Sequence, residues 1–237
     1  MKNTRPTEMM ILAGGLGTRL RPVLSDVPKP MAPINERPFL EYILDHWIDQ
    51  GIKKFILSIG YLGEMIKNHF GASYRAAEIE YVEESSPLGT GGALKLALCN
   101  TSWLGKYALL ANGDTWFPVD LTIMFQDALK QVKPFTIALR DLAENDRYGS
   151  VQINEKGSVE AFEVISKGRS YINGGCYLFD VGIIRSELNE YPEAFSLEKD
   201  FLVPYAANGN VGSSIQNCAF LDIGVPHDYQ CAIKVLG

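Results

Sequence analysis

Arg19 and Lys29 stand ten positions apart behind a glycine-rich turn, and they are the residues of this 237-residue chain best suited to chemistry. The segment reads Leu12-Ala13-Gly14-Gly15-Leu16-Gly17-Thr18-Arg19-Leu20 and runs on to Pro28-Lys29-Pro30. Glycines let a backbone approach a ligand closely, and the N–H groups of such a turn attract an anion. A guanidinium and a lysine nearby would complete a triphosphate cradle. The pattern predicts an enzyme that uses a nucleotide. Taken singly, Arg19 could be a surface ion pair and Lys29 a solvated loop residue.

Two common phosphate loops do not fit. A P-loop needs a Gly-Lys-Ser/Thr ending, and Gly105-Lys106 is followed by Tyr107. A dinucleotide fingerprint needs a third glycine where Leu20 stands, and a carboxylate closing the second strand. That strand, Phe55 to Ile59, ends in Gly60-Tyr61 instead. Asp114 follows the apolar run Tyr107 to Ala111, at a strand end where open parallel sheets gather ligands. A carboxylate there suits Mg2+, which takes one or two carboxylates plus substrate phosphates. The competing reading is an aspartate that caps a turn.

The elements that must position these residues alternate. A short apolar strand, Met9 to Leu12, precedes the glycine turn. Phe39, Leu40, Ile43, Leu44, Trp47 and Ile48 fall at helical spacing after Pro38, with Gly51 as the stop. Lys54 to Ile59 reads as a buried strand and Leu62 to Phe70 as a short helix. Ile79 to Val82, Tyr107 to Ala111 and Phe135 to Leu139 read as strands, with helices near Ala93 to Leu98 and Leu121 to Lys130. Such alternation predicts an α/β fold whose largely parallel sheet is covered on both faces. After Arg140, short strands (Ser150 to Ile153, Val159 to Phe162, Gly174 to Phe179) alternate with turns, and a last helix follows Pro226. Residues 1–237 read as a single domain, with a nucleotide half at about 1–140 and a sugar half at about 141–237.

Composition narrows the class. Apolar residues make up 46% of the chain, enough for a full core, and the formal net charge of −6 argues against a nucleic-acid surface. Cys99, Cys176, Cys218 and Cys231 are widely spaced and read as buried free thiols of a reducing compartment. The apolar stretch behind Lys2 and Arg5 stops at Gly14, and no run approaches the ~20 residues of a membrane helix. A cytoplasmic protein is expected. His46, His69 and His227 form no metal set.

Gly-Gly-x-Gly-Thr-Arg-Leu followed by Pro-Lys-Pro resembles the signature of the sugar-phosphate nucleotidylyltransferases, or nucleotide-sugar pyrophosphorylases. The resemblance continues through Pro87-Leu88-Gly89-Thr90-Gly91-Gly92-Ala93, Asn112-Gly113-Asp114, Asn173-Gly174-Gly175 and Asp222-Ile223-Gly224, so it covers nearly the whole chain in the family's order. It is nearest to short guanylyltransferases acting on mannose 1-phosphate or D-glycero-D-manno-heptose 1-phosphate. It implies a three-layer, Rossmann-like nucleotide-diphospho-sugar transferase fold with a mixed, mostly parallel sheet. It implies transfer of a nucleotidyl group from a nucleoside triphosphate, GTP first, to a sugar 1-phosphate, the heptose first, with release of pyrophosphate. Mannose 1-phosphate and other nucleobases are the alternatives. A non-catalytic nucleotide-sugar sensor is a further one, disfavoured because Arg19, Lys29, Asp114 and Asp222 are all present.

The family assigns roles by position. Leu12, Ala13, Gly14, Gly15, Gly17, Thr18, Pro87, Gly89 and Thr90 would meet the nucleotide, with Gly89 letting the base approach the backbone. Arg19 would hold the β- and γ-phosphates, and Lys29 the α-phosphate. Asp114 and Asp222 would hold Mg2+, and Asn112, Gly113, Lys167, Asn173, Gly174 and Glu198 would meet the sugar phosphate. The family usually shows Glu-Lys near Lys167; here Phe162-Glu163-Val164-Ile165-Ser166-Lys167 departs from it. Glu198 reads equally well as a helix-start carboxylate. Glu84 stands where thymidylyl- and uridylyltransferases often carry Gln. A carboxylate only accepts hydrogen bonds, which suits the adjacent N1–H and N2 amino donors of guanine and repels O4 of thymine or uracil. The competing reading makes Glu84 a solvated loop residue. Homo-oligomers are usual in the family.

Overall fold

The computed structural model describes residues 4–15, 26–163, 168–224 and 226–236. Its centre is a run of parallel strands: β1 (Glu8–Leu12), β4 (Lys54–Ile59), β6 (Ala77–Glu83) and β7 (Tyr107–Asn112), in the order β7-β1-β4-β6. Two-residue pieces fill the connections: β2 (Pro33–Ile34) with β3 (Arg37–Pro38), β5 (Ser73–Tyr74) at the β6 edge, and β8 (Thr115–Trp116) after β7. The expected strand Lys54 to Ile59 is found with those bounds.

Beyond β7 the sheet turns antiparallel. β12 (Gly168–Asp180) runs against β7 and also against β9 (Phe135–Asn145). β10 (Ser150–Ile153) and β11 (Val159–Glu163) extend one side of β12, and β13 (Val211–Gln216) lies parallel to β9 on the other. β14 (Leu221–Asp222) pairs only with β8 among the described residues. The sheet is therefore mixed, with a parallel heart.

Helices cover both faces, because the central strands are apolar on both. Met9 and Ile11 of β1 face one core while Met10 faces the other. The first core is closed by α1 (Phe39–Asp49), α2 (Gly63–Phe70), α4 (Leu121–Gln131) and α7 (Pro226–Val235). The second is closed by α3 (Gly89–Asn100), α5 (Val181–Leu188), a π-helical turn over Leu197–Leu202 and α6 (Val203–Ala207). His46 on α1 lies with its Nε2 2.8 Å from Gln50 Nε2 and 3.1 Å from the Val119 carbonyl. Gln131, at the end of α4, donates from its amide to Ser213 O (2.7 Å) and accepts from Ser213 N–H (2.9 Å) on β13.

The cysteine expectation needs correction. All four thiols are free, but only Cys176 is buried; Cys99 is exposed, and Cys218 and Cys231 are half-buried. Cys99 lies in the last turn of α3 on its solvent side, beside the buried Ala97 and Leu98. Among the described residues no helix is long and apolar enough to cross a membrane.

Candidate active site

A cleft of about 460 Å³ opens at the carboxyl ends of the parallel strands. The turn after β1 supplies Leu12, Ala13, Gly14 and Gly15, and the helical turn Lys29–Met31 supplies Lys29. The β6–α3 connection supplies Glu84, Pro87, Gly89 and Thr90, the end of β7 supplies Asn112 and Asp114, and the π-helical turn supplies Glu198. Gly113, Asn173, Gly174 and Asp222 do not line this cleft. Gly17, Thr18, Arg19 and Lys167 lie outside the described residues.

Lys29 reaches Asp114 at 2.9 Å, with both side chains partly shielded. Asp222 is brought up behind Asp114 by the β8–β14 pairing, in which it faces Thr115, and by the Ile223 N–H bond to the Asp114 carbonyl at 3.0 Å. Burial, and then the Asp114 charge, push the Asp222 carboxyl above the usual carboxylate range; the Gly224 N–H, Arg147 and Lys29 oppose that shift. Arg147 lies 3.3 Å from Asp222 and also pairs with Asp228 on α7. Two carboxylates crowded together and answered by two cations form an all-oxygen donor pair that fits a divalent cation of the magnesium type. No group of three or more ligating side chains exists among the described residues, so phosphate oxygens would have to complete such a site.

Glu84 is not a solvated loop residue. Its Oε1 accepts from the Ser58 hydroxyl at 2.9 Å and its Oε2 from the Leu88 N–H at 3.1 Å. Gly14 leaves the room for it, since a Cβ there would lie 3.0 Å from Oε1. Each carboxylate oxygen keeps capacity for a second donor.

Glu198 is held from three directions. Its Oε2 accepts from Thr90 (2.7 Å) and Ser196 (3.2 Å), and its Oε1 from the fully buried Tyr177 hydroxyl at 3.3 Å. Tyr177 in turn accepts from Asn173 Nδ2 at 2.9 Å. Thr90 also accepts from the Leu197 N–H, so its hydroxyl is spent inside the protein although the residue faces the cleft. Gly89 lines the cleft and is also required by the fold itself. Its φ of +72° and a Cβ position 2.6 Å from the Phe195 carbonyl show that the chain's own backbone makes the close approach. Gly113 and Gly174 serve packing: a Cβ would lie 2.7 Å from Leu12 O in the first case and 2.3 Å from the Phe117 ring in the second.

Ser58, Tyr177 and Arg147 are absent from the residues singled out on sequence. Ser58 carried a signal, a lone hydroxyl in the apolar run Lys54–Ile59. Tyr177 and Arg147 carried none, since their partners lie 21 and 75 positions away.

Parallel strands that end in a cleft edged by Lys29, Glu84, Asp114 and Glu198 define the class, an α/β domain with its cleft at the carboxyl edge of the sheet, where such sheets gather ligands. Residues 8–236 match the nucleotidyl transferase family, and the chain belongs to it. It is 42% identical over 229 residues (97% of this chain, 98% of the relative) to D-glycero-alpha-D-manno-heptose 1-phosphate guanylyltransferase of Aneurinibacillus thermoaerophilus. It is 40% identical over 223 residues (94% and 96%) to the enzyme of the same description in Campylobacter jejuni. Among solved structures, HddC from Yersinia pseudotuberculosis complexed with GMP-PN superposes with a TM-score of 0.84 at 32% identity, covering 98% of this chain and all of that one.

Proposed function

We propose that this chain transfers GMP from GTP to D-glycero-D-manno-heptose 1-phosphate, giving the GDP-sugar and pyrophosphate in the cytoplasm. The observation that carries the reading is the meeting in one cleft of the glycine turn, the Lys29–Asp114 pair and the tethered Glu84 carboxylate. The names of the relatives supply the sugar. Residues of about 1–140 would handle the nucleotide and those of about 141–237 the sugar, in a chain that self-associates.

The attacking phosphate oxygen is already ionised at neutral pH, so no general base is needed. The task is to bring two polyanions into line and neutralise them. Lys29 would leave Asp114 for the α-phosphate, where charge builds in the transition state. Arg19, by its place in the motif, would hold the departing β- and γ-phosphates. Asp114 and Asp222 would hold Mg2+, which when bound supplies charge neutralisation between the two phosphate groups. Glu84 would accept from N1–H and N2 of guanine, and Glu198 from sugar hydroxyls.

The test is pyrophosphate release with GTP, CTP, UTP and dTTP against a panel of sugar 1-phosphates, each with Mg2+. GTP with the heptose 1-phosphate should give the highest kcat/KM. A preference for UTP or dTTP would overturn the base assignment, and turnover of mannose 1-phosphate above the heptose would move the sugar.

A further inference from the structure

We propose that Ser58 is a positioning residue for nucleobase selection, acting through Glu84. This inference rests on the reading of Glu84 as the guanine acceptor. Ser58 is fully buried near the end of β4, a strand otherwise apolar from Phe55 to Ile59. A buried hydroxyl without a partner is costly, so a serine here needs a reason that packing alone does not give. Its Oγ spends its proton on Glu84 Oε1 at 2.9 Å.

The placement is specific. Ser58 pairs with Leu12 of β1 on one side and Val82 of β6 on the other, and its carbonyl accepts from the Ala13 N–H at 2.8 Å. It thus sits beneath the two strand ends that carry the glycine turn and Glu84. The carboxylate is clamped at both oxygens, by Ser58 and by the Leu88 N–H, with Gly14 lying over Oε1. A carboxylate held in one plane can present both oxygens at once to the adjacent donors of guanine. A carboxylate free to rotate pays an ordering cost on each binding event and tolerates bases with one donor. The Leu88 clamp is backbone and comes with the loop; the Ser58 clamp is a side-chain choice.

Inosine triphosphate is the probe, because it keeps N1–H and lacks the N2 amino group. kcat/KM for GTP and for ITP would be measured on the full chain for wild type, E84Q, S58A and S58C, with Tm for each. Wild type should prefer GTP, and E84Q should lose that preference. S58A should lose roughly three- to tenfold of it, the worth of one hydrogen bond of ordinary strength, with the loss in KM for GTP. S58C keeps a weak donor in nearly the same volume and should fall between. A GTP:ITP ratio in S58A equal to wild type, while E84Q abolishes it, overturns the role of Ser58 and leaves Glu84 in place. An unchanged ratio in E84Q overturns the guanine reading itself. Equal losses for GTP and ITP in S58A also overturn the proposal, since they mark a structural role alone.

Discussion

At the scale of single residues, the cleft sets the Lys29 ammonium against the Asp114 carboxylate. Lys29 is already turned inward by Asp114, so it is ordered before any phosphate arrives. Lys29→Ala and Asp114→Asn should each lower kcat by about 10²–10³, the usual effect of removing one preorganised electrostatic contact, while Tm stays near wild type. A steady-state assay beside a thermal melt checks both halves of that expectation. His46 makes a second residue-level prediction. Gln50 Oε1 is held by the Leu121 N–H at 2.7 Å, so the Gln50 amide N–H2 faces both the Val119 carbonyl and His46 Nε2. Burial holds the His46 pKa below the usual histidine value, and the Val119 carbonyl and the Asp49 and Asp120 charges oppose that shift. The unfolded chain takes up that proton more readily, so stability is full above about pH 6.5 and declines as pH falls below it. Tm measured from pH 7.5 to 5 should show the decline, and His46→Gln should flatten it. Lys29, Asp114 and Glu84 were legible because each sits in a recognisable string. The Ser58, Tyr177 and Arg147 contacts were not, because a hydrogen-bond partner tens of residues away leaves no local periodicity.

At the scale of elements, packing at the β6–α3 junction accounts for the two glycines that follow Thr90. A Cβ at Gly91 would lie 2.2 Å from the Phe195 ring, and one at Gly92 would lie 2.2 Å from the Glu193 carbonyl. The Gly91 and Gly92 N–H groups donate to the Phe195 carbonyl, at 3.1 and 3.3 Å. Intrinsic propensity favours alanine over glycine in a helix by about 1 kcal/mol, so any loss in Gly91→Ala reports the contact. We expect Gly91→Ala to destabilise by about 1–3 kcal/mol through overpacking, and Phe195→Ala to relieve that clash. A denaturant double-mutant cycle should then show strong coupling between the two sites. The same contacts are why α3 begins at Gly89 rather than near Ala93: glycines are poor helix formers, and a tertiary partner overrides the propensity. β4 and β6 were legible because buried parallel strands read as apolar runs. β13, with Gly212, Ser213 and Ser214, and the π-helical turn bearing Glu198 were not, since neither carries a period of its own.

At the scale of the whole molecule, one sheet runs from the parallel centre to the antiparallel flank, with β12 touching β7 and β9 at once. Composition and alternation foretold the covered parallel centre. The antiparallel flank was only half legible, because β9 and β12 run several residues past their apolar stretches. That flank ends at β13, which pairs along its length with β9 alone among the described residues. Its outward backbone groups at Ser213 are occupied by the Gln131 amide, for which Gly212 leaves space: a Cβ there would lie 2.5 Å from Gln131 Oε1. A bare parallel edge is a template for intermolecular strand addition. Gln131→Leu should raise concentration-dependent self-association, read by light scattering or sedimentation. One glutamine thereby acts as a molecular bookend, beside the bridge from Ser158 to Gly212, and shields the end of the row of strands from a neighbouring chain.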